Sequence, residues 1–298
     1  DIRGPFQGGV FHFKDDTVRL SQEGSQRFLR IESPRFGDHL FRITKVIGGH
    51  HREDYAGVEI TNGIARPSEG QRILPISYML STGTMRYKGY SVMSPERPGL
   101  RPGTVWERTC ILCHNTAPYF VSLFGALAGP GTPPYQGEVV DPLLPEGKRQ
   151  TLVITDETKL RTALSEELSV LRGHPISVPP EQPTRELLKH AVKTTRAFLS
   201  ESHLREVGIG CESCHGGSAA HVKDPDTHPS YAPTSEFLRT EPPQSRAQQI
   251  NRVCARCHQV LFSRYPFTWE GGLRAHNPGG SNINSGEGRD LLLGGCQS

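Results

Sequence analysis

One five-residue pattern, present three times, constrains this chain more than anything else in it. Cys110-Ile111-Leu112-Cys113-His114, Cys211-Glu212-Ser213-Cys214-His215 and Cys254-Ala255-Arg256-Cys257-His258 each set two cysteines three positions apart, with a histidine directly after. Together they use six of the seven cysteines, and the seventh, Cys296, stands two residues from the C-terminal end. Zinc sites also pair cysteines this way, but usually as two pairs about 15–20 residues apart. Here much longer stretches separate the copies, and zinc gives no reason for three immediate histidines. A thioredoxin-like redox pair is expected once, near a βαβ pattern, and none is visible. Disulfides between such close cysteines are strained and rare.

Cys-x-x-Cys-His is the attachment pattern of a c-type haem. The two thiols form thioethers to the porphyrin vinyl groups, and the adjacent imidazole is placed under the iron as an axial ligand. The expectation is therefore three covalently bound haems c. Cys110, Cys113, Cys211, Cys214, Cys254 and Cys257 attach them, and His114, His215 and His258 are the proximal ligands. Composition agrees with a chain that needs such a filler. Glycine (32) and proline (24) are abundant, and hydrophobic residues make up 35% of the 298 residues. That is a loop-rich chain with a thin aliphatic core, to which three haems add a large apolar volume. The formal charge of +3 makes no case for nucleic acid. Haem propionates would turn the loaded protein mildly acidic. No apolar run approaches the ~20 residues of a membrane span. Thioether attachment takes place outside the bacterial cytoplasm, so a periplasmic or extracellular bacterial protein is expected. Asp1 is neither a starting Met nor part of a signal peptide, which reads as a processed chain or a fragment.

The expected fold class is α+β: a small β-rich N-terminal module over 1–105, then a loop-rich multihaem region over 106–298 with a few helices. VFHFKDDTVRL, RFLRIES, HLFRITKVI, QRILPISYML and MRYKGYSVM read as strands, with Gly48-Gly49 and Asn62-Gly63 as turns. GPGTPPYQGEVVDPLLPEG is irregular. Leu160, Ala163, Leu164, Leu168 and Leu171 make one helical stripe, closed by Gly173 and Pro175. Leu187, Leu188, Ala191, Val192, Thr195, Phe198 and Leu199 make another, which His203 continues. A short helix near 242–256 leads into the third motif.

Three of the 13 histidines are proximal ligands, which leaves ten for the far side of the irons. His221 follows His215 too closely to round the edge of the same porphyrin, so it is expected on the iron of a neighbouring haem. His276, His50, His51, His203 and His12 are the other distal candidates. For His39, His174, His190 and His228 a surface or packing role is favoured. Met79, Met85 and Met93, all in the N-terminal module, are the lesser option; imidazole pairs also tend to hold haem at lower potential than His/Met. Arg256, inside the third motif, is either a propionate partner or an exposed arginine.

GIGCESCHGGSAAHV resembles the Cys-x-x-Cys-His-Gly-Pro-Gly-x-x-His segment of multihaem cytochromes c related to the nitrifiers' tetrahaem electron carrier. Multihaem enzymes that convert hydroxylamine and nitrite share that segment. The resemblance implies that the trailing histidine, here His221, binds another haem's iron; the match departs at Gly217, where the family has Pro. WERTCILCHNT, GIGCESCHGG and VCARCHQ together look similar to bacterial multihaem cytochromes often fused to tetratricopeptide repeats. That similarity is strong only at the motifs. It implies one haem motif before the β-rich stretch and one after the last motif here, and Cys296 would begin such a fourth motif if the chain continued. The function expected is single-electron transfer between redox proteins or cytochrome subunits, as a carrier or as part of a larger complex or assembly. The alternative is a nitrite- or hydroxylamine-type enzyme with one open iron, though no catalytic residue stands out.

Overall fold

The computed structural model describes residues 2–88, 99–108, 110–112, 114–116, 151–215, 219–229, 237–241 and 245–255. Cys113, Cys257, His258, His276, Cys296, Met93 and Arg256 lie outside the described residues, as does the Pro/Gly stretch 129–147. The described residues up to Cys110 belong to one compact unit and those from Ile111 to a second.

The first unit is an antiparallel sheet of eight strands: β1 (Val10–Phe13), β2 (Asp16–Glu23), β3 (Gln26–Glu32), β4 (His39–Gly48), β5 (Arg52–Thr61), β6 (Ile64–Ala65), β7 (Arg72–Met79) and β8 (Thr84–Tyr87). Their order is β1-β2-β3-β4-β5-β7-β8, with the short β6 also on β5. The sheet curls until its ends meet, where the rings of Phe13 and Tyr87 stack 3.9 Å apart. Alternation does the rest: Val18, Leu20, Leu29, Ile31, Phe41, Leu74 and Ile76 point inward and are buried. Leu100 fills the same core. Its backbone N–H donates to Asp16 Oδ2 at 2.7 Å. A Cβ on the preceding Gly99 would lie 2.6 Å from both that oxygen and the Phe36 ring, so only glycine fits there.

The β5 segment REDYAGVEIT is absent from the strand-like stretches named above, and its acidic pair explains why. Residues 53–58 of this strand are all buried, Glu53 and Asp54 among them. Each acid has partners that make its burial tolerable. Glu53 accepts from the backbone N–H of Arg3 (2.8 Å) and Gly4 (3.0 Å) and from the Tyr55 hydroxyl (3.0 Å). Asp54 accepts from Ser77 and binds the Lys88 ammonium at 2.5 Å.

In the second unit, β9 (Asn115–Thr116) and β11 (Glu206–Val207) pair, as do β10 (Thr151–Ile154) and β12 (Leu238–Glu241). α1 spans Glu157–Arg172. Asp156 caps it by accepting from Lys159 N at 2.9 Å, and Gly173 ends it in the left-handed region at φ 70°. α2 spans Thr184–Phe198. Leu160, Leu164 and Leu168 pack with Leu187, Leu188 and Ala191 to form the core of this hairpin. Arg161 ties the intervening loop by donating to the carbonyls of Gln182 (2.8 Å) and Pro179 (2.5 Å). The stripe of α2 does not run on to His203. The helix stops at Phe198, and His203 closes a separate 3-10 turn, Glu201–His203. α3 (Ala219–Lys223) and α4 (Arg246–Ala255) follow. No helix among the described residues is long and apolar enough to cross a membrane.

Candidate functional site

The three motifs begin in helical turns. Cys110–Leu112 and Cys211–Ser213 are 3-10 turns, and Cys254 lies in the last turn of α4. At the second motif Cys214 N bonds Cys211 O at 3.2 Å, and His215 N bonds the same oxygen at 3.0 Å. Positions i, i+3 and i+4 of a helical turn share a face. The turn thus sets both thiols and the imidazole on one side, the disposition that thioether attachment with axial ligation requires. Gly210 leads into the turn because a Cβ there would lie 2.9 Å from both Glu206 Oε2 and Thr116 Oγ1.

The first and second motifs, far apart in sequence, are stitched together. Asn115 and Thr116 directly follow His114, and both are buried. They pair with Val207 and Glu206 just ahead of the second motif. Ser213, inside the second motif, donates to Asn115 O at 2.9 Å and shares a hydrogen bond with Thr116 Oγ1 at 3.0 Å. Thr116 Oγ1 also receives Gly210 N at 2.9 Å and reaches Gly208 O at 3.0 Å. Asn115, Thr116 and Ser213 carried no role in the sequence reading. Their only signal is that small polar residues sit within or directly after a motif.

Past this seam burial is sparse: between residues 200 and 229 no described residue is buried. Val207, Ile209 and Val222 lie 40%, 64% and 78% exposed around the second motif. Cys211 and Cys254 are exposed thiols. Two thiols and an imidazole on one face, with uncovered aliphatic side chains beside them, suit a large apolar group bound through sulfur. Among the described residues, no group of three or more His, Cys, Asp or Glu is placed to hold a bare metal ion.

Hydrogen bonding sorts the candidate distal histidines, because a neutral imidazole offers a lone pair at only one nitrogen. His221, half-buried on α3, has Nδ1 3.0 Å from Thr227 O. A carbonyl only accepts, so Nδ1 carries the proton and Nε2 keeps its lone pair. That backbone anchor is the usual support of a metal-bound imidazole. The Thr227 carbonyl is held by a turn in which Asp224 accepts from Thr227 Oγ1 (2.8 Å) and Asp226 N (3.2 Å). His203 is the reverse case. Its Nδ1 accepts from Ser200 N at 3.0 Å, so Nε2 carries the proton and is no donor to iron in this arrangement. His50 and His51 are exposed neighbours with rings 5.9 Å apart. His12 is exposed on β1, with Nδ1 3.0 Å from Thr17 Oγ1.

Both nitrogens of His39 face acceptors, Glu59 Oε1 at 2.6 Å and Phe36 O at 3.1 Å. His190 contacts Thr194 one turn along α2 at 3.4 Å. His174 contacts the next residue's carbonyl at 3.3 Å, and it and His228 are exposed. Met79 and Met85 lie on β7 and β8 of the first unit. Comparisons with protein-family models, with curated proteins and with solved structures found no match.

Proposed function

We propose that this chain is a multihaem c-type cytochrome that passes single electrons between redox partners outside the bacterial cytoplasm. The observation that carries this reading is the hydrogen-bonded seam through Asn115, Thr116 and Ser213, which brings two attachment motifs side by side. Attached haems supply reversible one-electron chemistry, with potentials tuned by axial ligands, burial and nearby charge. The chain's own residues do the placing. Cys211, Cys214 and His215 present one attachment face, and the seam fixes His114 relative to that face. His221 holds an Nε2 lone pair ready, with Nδ1 anchored to Thr227. Val207, Ile209 and Val222 offer apolar surface to whatever the thiols bind. His114, His215 and His258 are the proximal ligands in this reading and His221 is the first distal one. The partners are other redox proteins or cytochrome subunits.

The test is spectroscopic. Protein made in a host with thioether-attachment machinery should give three haems by pyridine haemochrome. It should show only low-spin iron by low-temperature EPR, and no visible shift of the reduced form under carbon monoxide. His221→Ala should create one high-spin, carbon-monoxide-binding haem, whereas His203→Ala should leave the spectra unchanged. A haem count below three overturns the reading. Three haems with one open iron in the unaltered protein would make it a haem enzyme instead.

A further inference from the structure

The helix that carries His221 is too short to fix it. α3 has five residues and buries none of them, and helices below about 12–15 residues are marginal without packing. Val222, beside His221, is 78% exposed. What orients the ring is the turn that follows.

That turn is Asp224-Pro225-Asp226-Thr227. Thr227 N donates to Asp224 O at 3.0 Å and closes it. Proline in the second place presets the backbone angle the turn needs, and aspartate is favoured in the first. The Asp224 side chain braces the far arm twice. Its Oδ1 accepts from Asp226 N at 3.2 Å and its Oδ2 from Thr227 Oγ1 at 2.8 Å. Asp224 N also donates to Ala220 O at 2.9 Å, so the same residue ends α3 and begins the turn. One residue therefore links the helix bearing His221 to the carbonyl that lies 3.0 Å from its Nδ1. Ser200 works the other way at His203, where a backbone N–H donates to Nδ1. The two turns set opposite tautomers on the two rings.

We infer that Asp224 is a positioning residue for axial ligation by His221: it holds the Thr227 carbonyl that keeps the proton on Nδ1 and leaves Nε2 free for iron. The inference rests on the cytochrome reading above, in which His221 caps a neighbouring haem. Asp224 acts through where its two oxygens lie, not through its charge. A carbonyl bonded to Nδ1–H fixes the ring's orientation and makes the imidazole a stronger donor. Removing such an outer partner typically weakens a metal site about 10- to 100-fold.

The experiment is low-temperature EPR and a carbon monoxide titration of the haem-loaded full chain. Asp224→Ala should keep three haems, one of which gains a high-spin fraction. In its reduced form that haem should bind carbon monoxide about tenfold or more tightly than in the unaltered protein, because a weaker His221 competes less well. Asp224→Asn should restore the original spectra, since its Oδ1 still accepts from Asp226 N and its amide can donate to the Thr227 hydroxyl. Thr227→Val, which loses only the hydroxyl bond, should show the same change as Asp224→Ala in smaller measure. An Asp224→Ala protein that stays wholly low-spin with unaltered carbon monoxide binding would overturn the inference. So would an Asp224→Asn protein that opens the same haem, which would assign the effect to charge. If Asp224→Ala loses a haem or fails to fold, an unchanged Thr227→Val protein overturns it. Spectra that do not respond to His221→Ala would instead overturn the assignment of His221 as a ligand, on which the inference stands.

Discussion

The β-barrel-like N-terminal unit and the stretch beyond Leu199 solve opposite problems. The first closes a core from its own side chains: Leu29, Ile31, Phe41, Leu74 and Ile76 are essentially inaccessible. Its buried acids are matched as well, Glu53 by three donors and Asp16 by Leu100 N. In the second, no described residue between 200 and 229 is buried. Its order comes from short hydrogen-bonded turns, from the Ser213 seam and from the Asp224 turn behind His221. Backbone bonds alone rarely hold such a stretch, because apolar burial is the main favourable term in folding. On the cytochrome reading, the first is specified by its own side chains and the second for a group that it binds.

The largest effect should come from withholding that group. The full chain made in a cytoplasm without thioether attachment should keep a protease-resistant fragment ending near residue 110. The region beyond Leu199 should be cut readily, and attachment should protect it. Limited proteolysis with mass spectrometry reads both. Equal resistance of the two regions in the haem-free chain would break the comparison.

A sharper contrast lies between the matched acids of the sheet and Glu167 of α1. Glu167 is half-buried on the flank of the Leu160–Leu164–Leu168 stripe, and none of the hydrogen bonds among the described residues involves it. Burial, helped by the charge of Glu166, pushes its carboxyl up from 4.5 to about 9. A raised folded value means the native state holds a proton the unfolded chain has released. The contribution is intact below pH 4.5 and is lost progressively as pH rises towards 9. Glu167→Gln should therefore stabilise the helical hairpin at pH 7 by about 1–2 kcal/mol and remove that slope, as followed by urea denaturation from pH 4 to 9. Parallel curves for the two proteins would show that Glu167 is already solvated.

How much of this was legible follows from what each signal depends on. The leucine spacing of α1 and the alternation of β2, β3 and β4 are local, and local periodicity reads directly from sequence. β5 was not legible, because Glu53 and Asp54 look like surface residues until Arg3, Gly4, Ser77 and Lys88 come from elsewhere to meet them. His203 shows the same limit at a finer scale. Its place on the stripe is correct by spacing, but the helix ends at Phe198, and Ser200, which caps the next turn, takes the ring's Nδ1. The Cys-x-x-Cys-His motifs are visible because each is a contiguous pattern. The seam through Asn115 and Thr116 is not, because it joins residues nearly a hundred positions apart and no sequence period links them.

The smallest predicted effect tests whether the sheet's buried polar groups are as well matched as they look. Tyr55 is fully buried, its ring edge-on to Phe6 at a centroid distance of 5.3 Å, and its hydroxyl donates to Glu53. Burial first, and then the bond to Glu53 and its charge, pushes that hydroxyl far above its ordinary 10.0. The native state must therefore keep a proton that the unfolded chain gives up above pH 10.0. Stability from this group is complete below that pH and falls above it by up to about 1.4 kcal/mol per pH unit. Tyr55→Phe loses one hydrogen bond and should cost about 1 kcal/mol at pH 7. It leaves Glu53 still bound to Arg3 N and Gly4 N, and it removes the alkaline slope. The two stability curves should therefore converge and cross between pH 10 and 12, as measured by denaturation of the full chain. If both fall together, the alkaline sensitivity of the sheet lies in another group, and the Glu53–Tyr55 bond is a packing contact rather than a proton-linked one.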